Sequence, residues 1–450
     1  MALPRGWQAL RGLLLPALAL VVGCPSTDGT ASRPAGGGTV AGGAAAPGTR
    51  FEEAADSPVR PLRRCFPELP TWTDPLVGEL LDRATAYQES QDFEGVLACA
   101  EEAARQAPRS VEAHHNRALG LLRLGRFTQA RDAIALALAL APDDGESLEL
   151  AAELFINRLS PSAERTTIGL EYARRGRRTP IGRRGVRAAR LALLEGQALV
   201  DLGRSAEALT PLSVAQRYRP TEISARYERG VALFELCRME EAEAAFLEVL
   251  SRQENHAHSL YHLALIEERR GDFVLSKTHF EKATRLDPRA FPRPPGIDPE
   301  SFAELVERVT DRLAADVLAD LTEIPVETAD LPAIEDLTAE RPPLSPTILG
   351  LFRGLPLGRE QDEAEEEVTV APVRGARGRQ GRYSFAPASL EAGGSTGTVP
   401  NRAIVLYRRN ILRSIRSLDE LDAAIERTLL HEVGHLRGED DGSLRDRGLE

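Results

Sequence analysis

Residues 111–144 read VEAHHNRALGLLRLGRFTQARDAIALALALAPDD, and the offsets inside this 34-residue unit decide how most of the 450-residue chain is organised. Gly125-Arg126-Phe127 is followed by Ala130, Ala137 and Pro142. The same offsets return at Gly203, Ala208, Ala215 and Pro220, and again at Gly271, Ala283 and Pro288. Ala242 and Val249 fill the unit between these two, and Val96, Ala103 and Pro108 mark the first. Units at 77–110, 111–144, 189–222, 223–256 and 257–290 are therefore in phase within each block. Self-similarity at such a period signals stacked repeats. The interval 145–188 is ten residues longer than one period and reads as a degenerate unit with an insertion.

This pattern resembles the tetratricopeptide repeat. The resemblance implies helix pairs that cannot bury an apolar face alone, so that residues 77–290 stack into an all-α superhelix with a concave groove. Such arrays bind extended peptides or partner proteins, which makes a protein partner in the repeat groove the expectation. Arg174, Arg175, Arg177, Arg178, Arg183, Arg184 and Arg187 crowd the long unit. They are read as a solvated loop, the other reading being a surface for anionic lipid head groups or an acidic partner.

A formal net charge of −12 disfavours nucleic acid as a partner, and the basic residues are almost all Arg, with Lys only at Lys277 and Lys282. Arg5 and Arg11 precede an apolar run, Leu13 to Val22, that ends in Val21-Val22-Gly23-Cys24. The run is too short for a comfortable membrane span. It resembles a bacterial lipoprotein signal, which implies removal of residues 1–23, lipidation of Cys24 and a lipid-anchored place in the bacterial cell envelope. An uncleaved anchor would also export the chain; a misread start would not. Residues 24–76, rich in Gly, Ala, Pro, Ser and Thr at first, read as a flexible tether. Beyond Cys24 stand Cys65, Cys99 and Cys237, an odd number without a close pair, so no disulfide framework is expected.

After Pro292-Arg293-Pro294-Pro295 the repeat stops. Phe302, Leu305, Val306, Val309 and Leu313 have helical spacing, whereas Ile324-Pro325-Val326-Glu327-Thr328 and Ala403-Ile404-Val405-Leu406-Tyr407 are strand-like. Residues 297–450 are thus a small α+β domain, interrupted by an acidic, then basic and Gly-rich, insertion at 359–400.

Near the end of the chain stands His431-Glu432-Val433-Gly434-His435, of the form H-E-x-x-H. Histidines at i and i+4 of a helix project to one side and can share one Zn2+, with the glutamate beside the metal as a base. Leu418, Ile425, Leu429, Val433 and Leu436 cluster on one helical face, and the two histidines lie roughly 100° or more from its centre. Gly438 suits a left-handed helix end, after which Asp441 can return to the metal as third ligand. His431, His435 and Asp441 leave a fourth position for water, as catalytic zinc requires.

Asp330-Leu331-Pro332, Leu349 to Leu357, Ile404 to Arg409 and His431 to Asp441 together resemble the small bacterial family of zincin-like metallopeptidases of minimal size. The resemblance implies a compact zincin fold with a short sheet beside the zinc helix. The expected function is zinc-dependent hydrolysis of a peptide or protein substrate, with Glu432 as the catalytic base. Strand 403–407 is expected to offer an edge to an extended substrate, and Tyr383 and Tyr407 are candidates for a second oxyanion donor. The rival reading is a non-catalytic envelope scaffold whose zinc domain is structural or degenerate. A fourth protein ligand, such as Asp440 or Glu439, would favour it.

Overall fold

The computed structural model describes residues 64–68, 75–339, 341–357 and 402–449. Cys24, the leader 1–23, most of the tether 24–76, the insertion 359–400 and Tyr383 within it lie outside these residues. The chain divides into two compact units between Arg183 and Arg184.

In the first unit the 34-residue period becomes antiparallel helix pairs: Val77–Glu89 with Phe93–Gln106, Val111–Arg123 with Phe127–Leu140, and Gly145–Glu153 with Ala163–Arg178. Asp92, Ser110, Asp144 and Ser162 each accept the backbone N–H three residues on, satisfying a donor that the first helical turn leaves open. The turn inside each of the first two pairs is left-handed. Gly125 holds it at φ 75°, and Gln91, one period earlier, holds it at φ 58° without being glycine. Four of the arginines read as a loop, Arg174, Arg175, Arg177 and Arg178, instead form the last turns of helix Ala163–Arg178. The long unit departs from its neighbours earlier, where helix Gly145–Glu153 runs into a π-turn, Leu154–Arg158. There buried Glu153 receives Arg158 at 3.0 Å and Arg123 at 2.5 Å.

One expectation is overturned. Cys65 and Cys99 form a disulfide closing 34 residues of separation. Cys65, assigned to the tether, is buried against Leu80, Ala84 and Ala103, and Arg83 lies 4.8 Å over the Phe66 ring. The pair is distant in sequence, and the stacking of the first helix pair brings it together.

The second unit continues the pairs: Gly185–Asp201 with Ser205–Tyr218, Ile223–Glu235 with Met239–Arg252, and Ala257–Arg269 with Phe273–Leu286. Gly203 and Gly271 make the left-handed turn, and Cys237 makes it at φ 57°. A three-stranded sheet follows, β1 (Val326–Ala329), β2 (Gly350–Arg353) and β3 (Ala403–Tyr407), in the order β1-β3-β2. β1 runs parallel to β3, pairing Val326 with Ile404, and β2 runs antiparallel, pairing Gly350 with Leu406. All five residues of β3 are buried, as a strand covered on both faces requires.

Alternation along β3 sorts its two faces. Ile404 and Leu406 pack with Phe302 and Val306 of helix Pro299–Thr310 and with Ile425, Leu429 and Val433 of helix Leu421–Leu436. Each such side chain taken fully from water contributes about 1.5–3 kcal/mol. Val405 and Tyr407 face the other way, onto Leu337, Ile348 and the repeat's Cys237. Around that second face Arg269 donates to the Pro332 carbonyl at 2.9 Å and the Pro346 carbonyl at 2.6 Å. Asp330 clasps Arg408 and Arg409 at 2.8 and 2.9 Å. The repeats thus meet the α/β domain at this second face, through Cys237 and the two hydrogen bonds of Arg269. Among the described residues no helix is long and apolar enough to cross a membrane.

Candidate metal centre

Helix Leu421–Leu436 presents two faces with different duties. Ile425, Leu429, Val433 and Leu436 are buried in the core, while His431 and His435 are half-buried beside it. The helix stops at a left-handed Gly438, φ 82°, with the Gly438 N–H donating to the His435 carbonyl and the Glu439 N–H to the Gly434 carbonyl, both at 2.9 Å. This stop reverses the chain. The short helix Asp441–Asp446 then lies back on the site, its Leu444 fully buried. Contact is close because residue 434 is glycine: a Cβ there would stand 2.2 Å from Leu444 Cδ2.

The return brings Asp441 to the histidines. Its Oδ1 lies 3.3 Å from His435 Nε2 and 3.8 Å from His431 Nε2, and the two Nε2 atoms are 3.1 Å apart. His431 Nδ1 lies 2.7 Å from the Leu449 carbonyl, and His435 Nδ1 lies 3.0 Å from the Glu439 carbonyl. A carbonyl only accepts, so each ring carries its proton on Nδ1 and turns an Nε2 lone pair inward. Two lone pairs and a carboxylate oxygen facing one another repel unless a metal ion, or else a proton shared between His435 Nε2 and Asp441, stands between them. Ligands about 2.0 Å from a tetrahedral zinc are about 3.3 Å apart, so the spacing fits that ion. Among the described residues this trio is the group able to hold a metal.

Electrostatics follow the same geometry. Hydrogen bonding to His435 holds the Asp441 carboxyl low, at about 2. Burial opposes charge on His435, yet Asp441 and Glu432 beside it lift its pKa above the ordinary imidazole value. Glu432 is 5% exposed, and that burial pushes it up to about 7. Its Oε2 accepts the Phe352 N–H at 2.8 Å. β2 reaches it because residue 350 lacks a side chain: a Cβ on Gly350 would sit 2.8 Å from Thr428 Cγ2 and 2.9 Å from Glu432 Oε1.

Asp440 and Glu439, the two residues able to close the site as a structural one, are engaged elsewhere. The Asp440 carboxylate accepts the Ser443 N–H at 2.8 Å and its hydroxyl at 2.9 Å, and Glu439 pairs with Arg447 at 2.6 Å. Neither carboxylate is free to join the trio of His431, His435 and Asp441.

Two expectations fail here. β3 is the central strand, hydrogen-bonded on both sides, so it has no edge to offer; among the described residues the outer strands are β1 and β2. Tyr407 is 1% exposed on the face opposite helix Leu421–Leu436, with its hydroxyl beside Arg353, so it donates nothing to the site. The carbonyls of Glu439 and Leu449 and the Phe352 N–H escaped sequence reading because backbone groups carry no residue-type signal.

Residues 360–449 match the family model of zincin-like metallopeptidases. Residues 193–257 and 227–291 match one tetratricopeptide-repeat model, and 111–144 match another. A comparison with curated proteins finds no match. Among solved structures the chain is similar to YrrB, a TPR protein with an unusual peptide-binding site, at 18% identity over 42% of this chain and 95% of that one, TM-score 0.35. It is similar to pilF of Pseudomonas aeruginosa at 14% identity over 47% and 92%, TM-score 0.40. It is also similar to PilW, a widely conserved type IV pilus biogenesis factor, at 19% identity over 48% and 96%, TM-score 0.41.

Proposed function

From a helical tetratricopeptide-repeat array followed by a small mixed α/β region of zincin-like metallopeptidase type, we propose a membrane-anchored, zinc-dependent peptidase that hydrolyses peptide bonds in exported substrates. The observation that carries the reading is the convergence of His431 Nε2, His435 Nε2 and Asp441 Oδ1 with both Nδ1 atoms committed to carbonyls.

His431, His435 and Asp441 would hold the ion, which when bound lowers the pKa of a water and polarises a carbonyl. Glu432 takes the proton of the attacking water and passes it to the leaving amine. Burial raises the Glu432 carboxyl above the ordinary carboxylate value, the direction that helps it hold the proton between the two transfers. The Phe352 N–H fixes one carboxylate oxygen, which leaves Oε1 for the proton. The repeats select or present the polypeptide to be cut.

Lipidation of Cys24 would hold the assembly at an envelope membrane. The Cys65–Cys99 disulfide supports export, since such bonds persist in oxidising compartments. Metal analysis of the purified chain, paired with peptide-library cleavage by wild type and Glu432→Gln, tests the activity. Expected are one zinc per chain in both proteins and cleavage by the wild type alone; a Glu432→Gln protein as active as wild type ends the mechanism. Cys24→Ala is expected to move the protein from the membrane to the soluble fraction.

A further inference from the structure

We propose that Leu449 is a positioning residue of the metal centre, its backbone carbonyl fixing His431, and that residues 439–449 act as one clasp holding the whole ligand set. The inference rests on the metal-binding reading above and extends it to groups that no ligand motif contains.

The argument begins with where each contact originates. His431 and His435 come from one helix, but the two carbonyls at their Nδ1 atoms and the carboxylate at their Nε2 atoms come from the eleven residues after Gly438. Glu439 supplies a carbonyl to His435 at 3.0 Å, Asp441 supplies the third ligand, and Leu449 supplies a carbonyl to His431 at 2.7 Å. An imidazole on a flexible side chain has two tautomers and can turn over. An acceptor at Nδ1 removes both freedoms and leaves Nε2 as the only lone pair. Asp441 also lies farther from His431 than from His435, 3.8 against 3.3 Å, so His431 depends more on its carbonyl.

The clasp is built to hold that oxygen in place. Leu444 is buried against Gly434, Arg447 pairs with Glu439 across the segment at 2.6 Å, and the Leu449 N–H returns to the Leu444 carbonyl at 3.0 Å. Gly448, at φ 76°, makes the left-handed turn that aims the next peptide group at the histidine. The contact with His431 is made by the peptide oxygen of Leu449, so the inference concerns where the backbone runs and not which side chain stands there.

The test is zinc affinity by chelator competition and the visible spectrum of the Co2+-loaded protein, neither of which needs peptidase activity. It compares the wild type, a chain ended at Arg447, a chain ended at Leu449 and Gly448→Val, with folding checked by circular dichroism. Ending at Arg447 removes the acceptor and is expected to weaken zinc binding by about 10–100-fold and to shift the Co2+ bands. Ending at Leu449 keeps an acceptor oxygen and is expected to restore both. Gly448→Val keeps every residue but cannot hold the left-handed turn, and is expected to lose affinity in the same direction. If the chain ended at Arg447 and Gly448→Val bind zinc as the wild type does, the inference is wrong. A wild-type chain that takes up no metal instead overturns the metal reading on which it rests.

Discussion

Glu268 accepts Arg409 at 2.7 Å across 141 residues of sequence, and the same carboxylate takes Arg413. Its side chain is 6% exposed, and both guanidinium groups stack on rings of the last repeat, Arg409 5.0 Å from Phe273 and Arg413 5.1 Å from Phe280. Arg409 and Arg413 belong to the helix Arg408–Ser414 that follows β3 directly, so this acid fixes the strand carrying the core of the metal domain. Glu268→Gln removes the charge but keeps the shape. It leaves partly buried Arg413 with only the Asn410 oxygen at 3.3 Å and a neutral amide in place of its charged partner, and breaking such a pair costs up to about 3–5 kcal/mol. Denaturant unfolding of the full chain should show one transition weakened by this amount. An unchanged curve would mean that the ion pairs are incidental to the junction.

Gln91 and Cys237 hold the left-handed turn that Gly125, Gly203 and Gly271 make without strain. A side chain at that φ costs about 1–2 kcal/mol, of which glycine returns part by its greater freedom in the unfolded chain. Gln91 is exposed, so Gln91→Gly is expected to stabilise the first unit by about 0.5–1 kcal/mol. Cys237→Gly removes the same strain but also the side chain that packs against Val405 and Tyr407, and is expected to destabilise. Opposite signs at equivalent positions of one repeat, read by thermal unfolding, check the argument.

These two residues also show what a sequence conceals. The 34-residue period located the helix pairs because it is written in small residues, but at Gln91 and Cys237 the turn persists where its signature residue is gone. The trio His431, His435 and Asp441 was legible as a cluster because histidines at i, i+4 spacing on a helix project to one side and Gly438 lets the chain return. β3 was legible as a strand from five apolar residues, yet its place in the middle of the sheet depends on β2, whose Gly350-Leu351-Phe352-Arg353 has no alternation to read. Cys65 and Cys99 looked unpaired because only the stacking of helices makes them neighbours.

His256 caps the helix Ala257–Arg269, its Nδ1 accepting the Ser259 N–H at 3.2 Å. Burial drops its pKa from the ordinary 6.5 to about 4. A group depressed on folding lends stability above its unfolded pKa and loses it as pH falls through the folded value. Protonation must also take the lone pair that serves the cap. The loss should therefore develop between about pH 6.5 and 4 and reach on the order of 2–3 kcal/mol. His256→Asn keeps a capping oxygen and has nothing to titrate. Its stability should be flatter with pH across this window; a curve as steep as that of the wild type would assign the dependence to other groups.

Gly434 and Leu444 tie the metal ligands to the fold. Their contact is so close that a Cβ at residue 434 would lie 2.2 Å from Leu444 Cδ2 and 3.2 Å from its Cγ, and Leu444 is fully buried. Gly434→Ala must therefore lift the short helix Asp441–Asp446 from the site helix. Overpacking of this kind costs about 1–3 kcal/mol in stability, partly offset by alanine's better helix propensity. The larger effect falls on the metal. Asp441, at the head of the lifted helix, moves from the two Nε2 atoms while both histidines stay on their own helix. Zinc affinity should fall more steeply than stability, and shortening residue 444 should restore it: Gly434→Ala with Leu444→Val is expected to bind zinc better than Gly434→Ala alone. Isothermal titration of the three proteins decides the matter, because a double variant no better than the single one would show that the glycine serves the helix and not the placing of Asp441.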